Sequence, residues 1–238
     1  RAETLHRAAV RAGVGVTAGG VNPGFAMDLI PVVASLPCWH IDRVVVRRHV
    51  DFSPYGPDEM RHIGAGLSED EFRRGAAAGT IGHIGLLESA AMLSSCLGLD
   101  VDELIQEKEP VVSERARSTP FIEVPRGRVS GFRQRVVGYS QGTERLELQM
   151  LAVLDPRPDE GIELGDSTRI LGVPDIDLTI RREISQRGGL ATAAVAVNTI
   201  PMLLDQPPGL HTLPELRLPR IWSGREDPPP VPRIRTLG

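Results

Sequence analysis

The chain has 238 residues, 41% of them apolar, enough for one large domain or one and a half ordinary ones around a real core. A net charge of −4 leaves no dominant basic face, which argues against nucleic acid as a main partner. Two cysteines, Cys38 and Cys96, cannot frame a disulfide scaffold, no Cys/His cluster marks a metal site, and no apolar run approaches the ~18 residues of a membrane span; a reduced, cytoplasmic chain free of the membrane is expected.

AETLHRAAVRA, residues 2–12, predicts a helix, and because Arg1 already stands at its start we expect further sequence upstream. The Val/Gly run of AGVGVTAGG then reads as a short strand. In the following GGVNPGFAMD, Asn22 is placed to cap a helix with Pro23 at its first position. Phe25, Leu29, Val32 and Leu36 recur at i, i+4, i+7 and i+11, which gives that helix one buried stripe. Such a strand, Gly/Asn turn and helix N-terminus presents backbone N–H groups, which suits a cofactor carboxamide or a phosphate; an ordinary helix entry uses the same residues. No GxGxxG fingerprint exists, since Gly13 and Gly15 are followed by Ala18.

His40–Val50 is β-branched and strand-like and runs into the loop DFSPYGP. Ser68 followed by Glu69, Asp70 and Glu71 marks a capping-box start for a helix ending near Gly79. A second helix is expected from Ile84 to Leu97, with Leu86, Ala90, Leu93 and Leu97 buried and Gly98 as its stop. The single lysine, Lys108, lies in the charged run QEKEP, which leaves none for Schiff-base chemistry or proton donation. From Pro110 the pattern turns to strand, and Arg128–Tyr139 and Glu144–Val153 flank the hairpin turn SQGT. Leu146, Leu148, Met150 and Ala152 alternate with Arg145, Glu147, Gln149 and Leu151, which predicts an antiparallel sheet with one wet face. Strands are expected at Gly161–Leu164 and Ile176–Arg182, then a buried Ala/Val-rich helix over Gly189–Leu204, broken late by Pro201, and a disordered Pro/Arg-rich tail. The order predicts an α/β (α+β) fold: a mixed, largely antiparallel sheet with helices, joined to a helix–strand remnant of another layer.

Two segments concentrate polar groups in apolar surroundings. In GTIGHIGLLES, His83 stands between Gly82 and Gly85 at a helix start, where the dipole favours its neutral form. It either contacts a ligand or caps a helix behind a glycine-shaped turn; Glu88, five residues on, need not face it. In RRHVDFS, Arg47 and His49 share one strand face, while Arg48 shares the other with Val46 and Val50. Arg48 is then either a solvated, snorkelling arginine or one bound to an anion. His40, His62 and His211 read as surface or cap residues, and Ser53 and Ser89 lack a nucleophile-elbow pattern.

Taken in order, GGVNPGFAMDLIP, RVVVRRHVDFS, IGAGLSEDEFRRGAAAGTIGHIGLLESAAML, GRVSGFRQRVVGY, ATAAVAVNTIP and PPGLHTLPELRLP resemble the 2,4-diaminopentanoate dehydrogenase family, relatives of dihydrodipicolinate reductase. The resemblance implies an oligomeric NAD(P)-dependent oxidoreductase with a Rossmann domain followed by a substrate and dimerisation domain. Residues 1–21 would be the Rossmann remnant, 22–222 the substrate domain and 223–238 the tail. Val21, Asn22, Pro23, Gly24 and Phe25 would form the turn near the nicotinamide of NAD or NADP; Arg48, His49, Gly82 and Ser89 would meet a small amino or diamino acid. The implied reaction is hydride transfer between the nicotinamide and a carbon bearing an amine, an oxidative deamination or its reverse: either His83 would take the ammonium proton or Asp51 and Glu88 would pair with the amine, and Arg48 would hold a substrate carboxylate. The lysine that the reductases keep beside their histidines is absent, which disfavours dihydrodipicolinate. Gly188-Gly189-Leu190 stands where relatives often carry Gly-Asp, so no acidic group marks that helix start. The competing reading is a non-catalytic ligand-binding or dimerisation module lacking the cofactor domain.

Overall fold

The computed structural model describes residues 1–181, 184 and 188–216; the expected tail and the end of the strand expected at Ile176–Arg182 lie outside the described residues. The chain enters through α1 (Ala2–Ala12) and β1 (Gly15–Thr17), passes a π-helical turn (Phe25–Leu29) into α2 (Ile30–Ala34), and continues as β2 (His40–Asp51). α3 (Pro57–His62), α4 (Glu69–Ala77) and α5 (Leu86–Leu97) follow, then β3 (Glu103–Val112) and a small flap of β4 (Arg117–Ser118) and β5 (Glu123–Val124). The strands β6 (Val129–Ser140), β7 (Thr143–Val153), β8 (Gly165–Val173) and β9 (Ile176–Arg181) precede α6 (Gly188–Leu204) and β10 (Gly209–His211).

Six strands form one mixed sheet in the order β3-β6-β7-β2-β8-β9, with β2 and β7 parallel and every other pair antiparallel. β10 returns to the start of the chain and pairs in parallel with β1. The β6–β7 hairpin closes through Gln141 and Gly142, whose φ values of 48° and 76° meet the positive-φ demand of a two-residue turn. α4 starts where Ser68 and Glu71 cap one another reciprocally. On one sheet face, α3 and α4 bring Met60, Ile63 and Phe72 over Val50, Phe132 and Met150. On the same face, α5 and the π-turn bring Leu86, Ala90, Leu93 and Met27 over Val44, Val46, Leu148 and Ile170. No helix of the described residues is long and apolar enough to cross a membrane, and both cysteines are free.

Several expectations are corrected. Asn22 does not cap a helix: Gly24, at φ 135°, interrupts the backbone and the helix opens at Phe25. The wider π-turn rotates the buried face onto Ala26, Met27 and Asp28, so Leu36, expected at the end of a stripe, is 75% exposed. α5 begins at Leu86 behind Gly85, leaving Ile84 exposed. The charged run around Lys108 belongs to β3, an edge strand that begins at Glu103 and not, as expected, from Pro110. The second face of β7 is not wet: Glu147 and Leu151 are buried there, and Arg43 and Arg135 reach across to Glu147. Gly161 ends a 3-10 turn, and the strand expected over Gly161–Leu164 starts instead at Gly165. α3 follows the expected DFSPYGP loop, with Pro57 at its first position as its local signal. α6 is not a buried helix in this chain, since Leu190, Val197, Ile200 and Leu204 are all exposed.

Candidate functional site

Where the two apolar clusters meet, a row of different chemistry crosses the sheet. Strand register aligns Lys108 on β3 with Gln134 on β6, Gln134 with Met150 on β7, Met150 with Arg48 on β2, and Arg48 with Asp166 on β8. Directly opposed residues share a face, so all five side chains stand on the helix-covered side. Arg48 Nη1 donates to Asp166 at 2.5 Å, and both residues are buried. Of the two readings of Arg48, the anion-bound one holds, and the anion belongs to the protein.

Two loops are seated on this row. Between α4 and α5, the His83 N–H donates to Gln134 Oε1 at 2.8 Å, and Gln134 Nε2 donates back to the His83 carbonyl at 3.0 Å. Lys108 Nζ donates to the Ile81 carbonyl at 3.0 Å. Gly82 adopts φ 104°, and a Cβ there would stand 2.9 Å from both Gln134 Oε1 and Lys108 Cδ. The turn after β1 brings Asn22 over Met150, with Asn22 Nδ2 3.8 Å from the Met150 sulfur. His83 Nε2 lies 3.2 Å from the Asn22 carbonyl and 3.3 Å from Asn22 Nδ2. Gly85, not His83, caps α5, so the capping reading of His83 falls.

Burial pushes the His83 imidazole below its ordinary value; the Asn22 carbonyl opposes this, while Arg48 and Lys108 reinforce it. The ring is therefore neutral near pH 7. In the tautomer whose Nε2–H donates to the Asn22 carbonyl, Nδ1 carries the lone pair; acceptance by Nε2 from Asn22 Nδ2 requires the other tautomer. His83 Nδ1 and Asn22 Oδ1 are both buried without a hydrogen-bond partner among the described residues. Asn22 and His83 line a cavity of about 440 Å³ together with Arg48, Met150, Tyr55 and Glu59, while these two atoms lie behind its wall. Tyr55 is held at its wall by stacking on Phe52, ring centroids 4.6 Å apart.

The structure brings together Val21, Asn22, Arg48 and His83, and separates the other candidates from them. His49 and Asp51 alternate with Arg48 and Val50 and so lie on the opposite face of β2. His49 meets the Glu163 carbonyl at 2.9 Å, and Asp51 accepts from the Ser53 N–H and hydroxyl. Glu88, Ser89, Pro23 and Gly24 line a different cavity of about 250 Å³, beside the buried Asp28. Phe25 turns into an apolar gap against α6. Gly82 shapes the turn.

A bound nicotinamide nucleotide can be tested against this turn. Its N–H groups are mostly spent internally: Gly20 on the Pro23 carbonyl, Val21 on the Thr192 hydroxyl, Gly24 on the Asp28 carboxylate and Phe25 on the Gly20 carbonyl. Cβ atoms at Gly20 and Gly24 would strike Thr192 and the Gly20 backbone, so these glycines allow close packing within the chain. The expected array of free donors for a phosphate is absent among the described residues. The Asn22 side-chain amide does fit a carboxamide, so the turn suits the nicotinamide end alone. Lys108, Gln134, Met150, Glu59 and Tyr55 escaped sequence reasoning because only strand register and loop docking unite them.

Residues 25–227 match the family model described as the 2,4-diaminopentanoate dehydrogenase C-terminal domain. The chain is 34% identical over 225 residues to a 2,4-diaminopentanoate dehydrogenase of Acetoanaerobium sticklandii, covering 94% of this chain and 63% of that protein. It is 27% identical over 220 residues to an amine dehydrogenase of Streptomyces virginiae, covering 86% of this chain and 61% of that protein. Its fold matches the solved amine dehydrogenase of Mycobacterium smegmatis with a TM-score of 0.78, over 93% of this chain and 64% of that one, at 20% identity. The chain thus spans a little under two thirds of the length of these relatives.

Proposed function

The chain belongs to the 2,4-diaminopentanoate dehydrogenase C-terminal domain family, and on that premise we propose that it is the substrate-side part of an NAD(P)-dependent oxidoreductase acting on a carbon that bears an amine. One observation carries this reading: Asn22 and a neutral His83, each keeping one buried polar atom without a partner, stand together at the wall of one cavity. An amine brings N–H donors to such a wall.

The substrate ammonium enters the cavity beside Asn22 and His83, and neutral His83 takes one of its protons, leaving the free amine that hydride loss requires. The nicotinamide, when bound, supplies the hydride acceptor. Asn22 and the Met150–Phe52 wall orient the amine-bearing carbon and keep water from it. Arg48, its charge balanced by Asp166, holds His83 neutral by adding positive potential nearby. Glu59 at the rim pairs with a second ammonium of a diamino acid. Asp51, His49, Glu88 and Ser89 take no direct part.

We assign residues 1–21 and the returning segment 188–216 to the edge of a nucleotide-binding layer, and 22–181 to the substrate domain. The parallel β1–β10 pair and the exposed Val10, Val14, Ile200 and Leu204 support this, since they offer a surface for the remainder of that layer. Unbridged cysteines fit a reducing cytoplasm.

The test uses the protein extended to the length of its relatives, assayed for NAD⁺ and NADP⁺ reduction with a panel of amines, amino acids and diamino acids. Turnover is expected with at least one diamino acid, and His83→Ala should lower kcat by about 10²–10⁴-fold. Amine binding with no turnover across the panel would replace this reading with a non-catalytic binding module.

A further inference from the structure

We propose that Lys108 and Gln134 are positioning residues for His83, a side-chain clamp that holds the 81–83 backbone against the sheet and so keeps the imidazole at the cavity wall beside Asn22. The inference rests on the reading of His83 given above for its link to catalysis, but the clamp itself is a statement about this chain alone. Gln134 meets the His83 backbone at two points, one accepting at 2.8 Å and one donating at 3.0 Å, as a neighbouring strand would. Gln106, two residues from Lys108 on the same face of β3, accepts from Gln134 Nε2 at 2.9 Å and so fixes which way the amide points. Lys108, opposite Gln134 in register, secures the Ile81 carbonyl one step earlier in the loop.

The space leaves no slack. Gly82 passes so close that any Cβ would press on Gln134 Oε1 and the Lys108 stem, and its φ of 104° already excludes most side chains. Every other basic residue of this chain is arginine, and here a straight aliphatic stem and a compact ammonium run beside Gly82. A guanidinium fork needs more width and a planar partner, which a single carbonyl does not offer. The clamp also sets the ring's electrical surroundings. Charged groups face His83 from β2, as Arg48 held by Asp166, from β3, as Lys108, and across the cavity from α3, as Glu59; the Asn22 turn adds only neutral dipoles.

The test follows the ¹⁵N resonances of His83 through a pH titration in the chain itself, for the wild type, Lys108→Met, Lys108→Arg and Gln134→Met. Lys108→Met keeps the stem and removes the cation; the His83 midpoint should rise, because a positive neighbour that held it down is gone. Gln134→Met, close in volume, should shift the His83 backbone amide and ring signals together. Lys108→Arg should not restore the wild-type pattern. In the extended protein both methionine variants should lower kcat about tenfold or more with KM changed far less, since misplacement of an acid–base group acts on the chemical step. Folded variants whose His83 midpoint and signals match the wild type would overturn the proposal, even if their stability fell. If the extended protein oxidises no amine, the reading of His83 in catalysis fails, while shifted His83 signals would leave the clamp standing.

Discussion

Arg48 shows how far a single residue can be read without its neighbours. Its alternation with Val46 and Val50 places it on the inner face, and the same alternation puts His49 and Asp51 outside, so the exclusion of Asp51 was legible in β2 itself. That the anion was Asp166 was not, because β8 reaches β2 from 118 positions away. Breaking this pair should be costly: Arg48→Met leaves a buried carboxylate without its main partner and is expected to destabilise the chain by about 3–5 kcal/mol in urea denaturation. Adding Asp166→Leu should recover most of that loss. His83 makes a second prediction at this scale. Its folded pKa is depressed by burial, so the unfolded chain binds more protons as the pH falls. The stability from keeping it neutral is present above about 6.5 and is lost as pH drops through the folded value. Urea unfolding between pH 7.5 and 5 should show this decline, with a shallower slope in His83→Gln. Some slope should persist, since burial depresses His49 in the same direction.

At the level of elements, local chemistry was most legible where one short segment decided the outcome. Ser68 and Glu71 announce α4 by themselves, and the structure shows both halves of the box. Ser68→Ala is therefore expected to cost about 0.5–2 kcal/mol, typically near 1, measured by the urea midpoint at unchanged m-value. The SQGT hairpin was equally plain, because the turn needs positive φ at two positions and Gln141-Gly142 tolerates it. Elements failed where tertiary contacts decide the outcome. The π-turn after Gly24 has no sequence period of its own, and Asp28, buried inside it, looks like an ordinary surface carboxylate in the sequence. β3 is a charged edge strand without apolar alternation in its first half, which concealed Lys108 beside the site. Seating of the 81–83 loop needs strand and loop together, which neither segment reveals separately.

For the whole molecule, the mixed sheet and the order of helices were within reach of pattern reading, but the environment of α6 was not. An Ala/Val-rich helix reads as buried, and here Leu190, Val197, Ile200 and Leu204 face outward. With the chain spanning 63% of its 2,4-diaminopentanoate dehydrogenase relative, the account expects that surface to be covered by the rest of the protein. The extended protein should then protect the amides of α1 and β1 from hydrogen exchange more than this chain does alone, while β6 and β7 stay unchanged; equal protection in α1 and β1 would remove the docking assignment. The central claim is more local: we propose that a substrate amine binds in the cavity lined by Asn22 and His83. It is tested most directly by following the ¹⁵N signal of His83 Nδ1 near pH 7.5 while the extended protein is titrated with a small diamino acid, and separately with its deaminated counterpart. The account predicts a saturable shift with the diamino acid alone, weakened by Asn22→Ala. An unmoved signal, or the same shift from the deaminated compound, would contradict it.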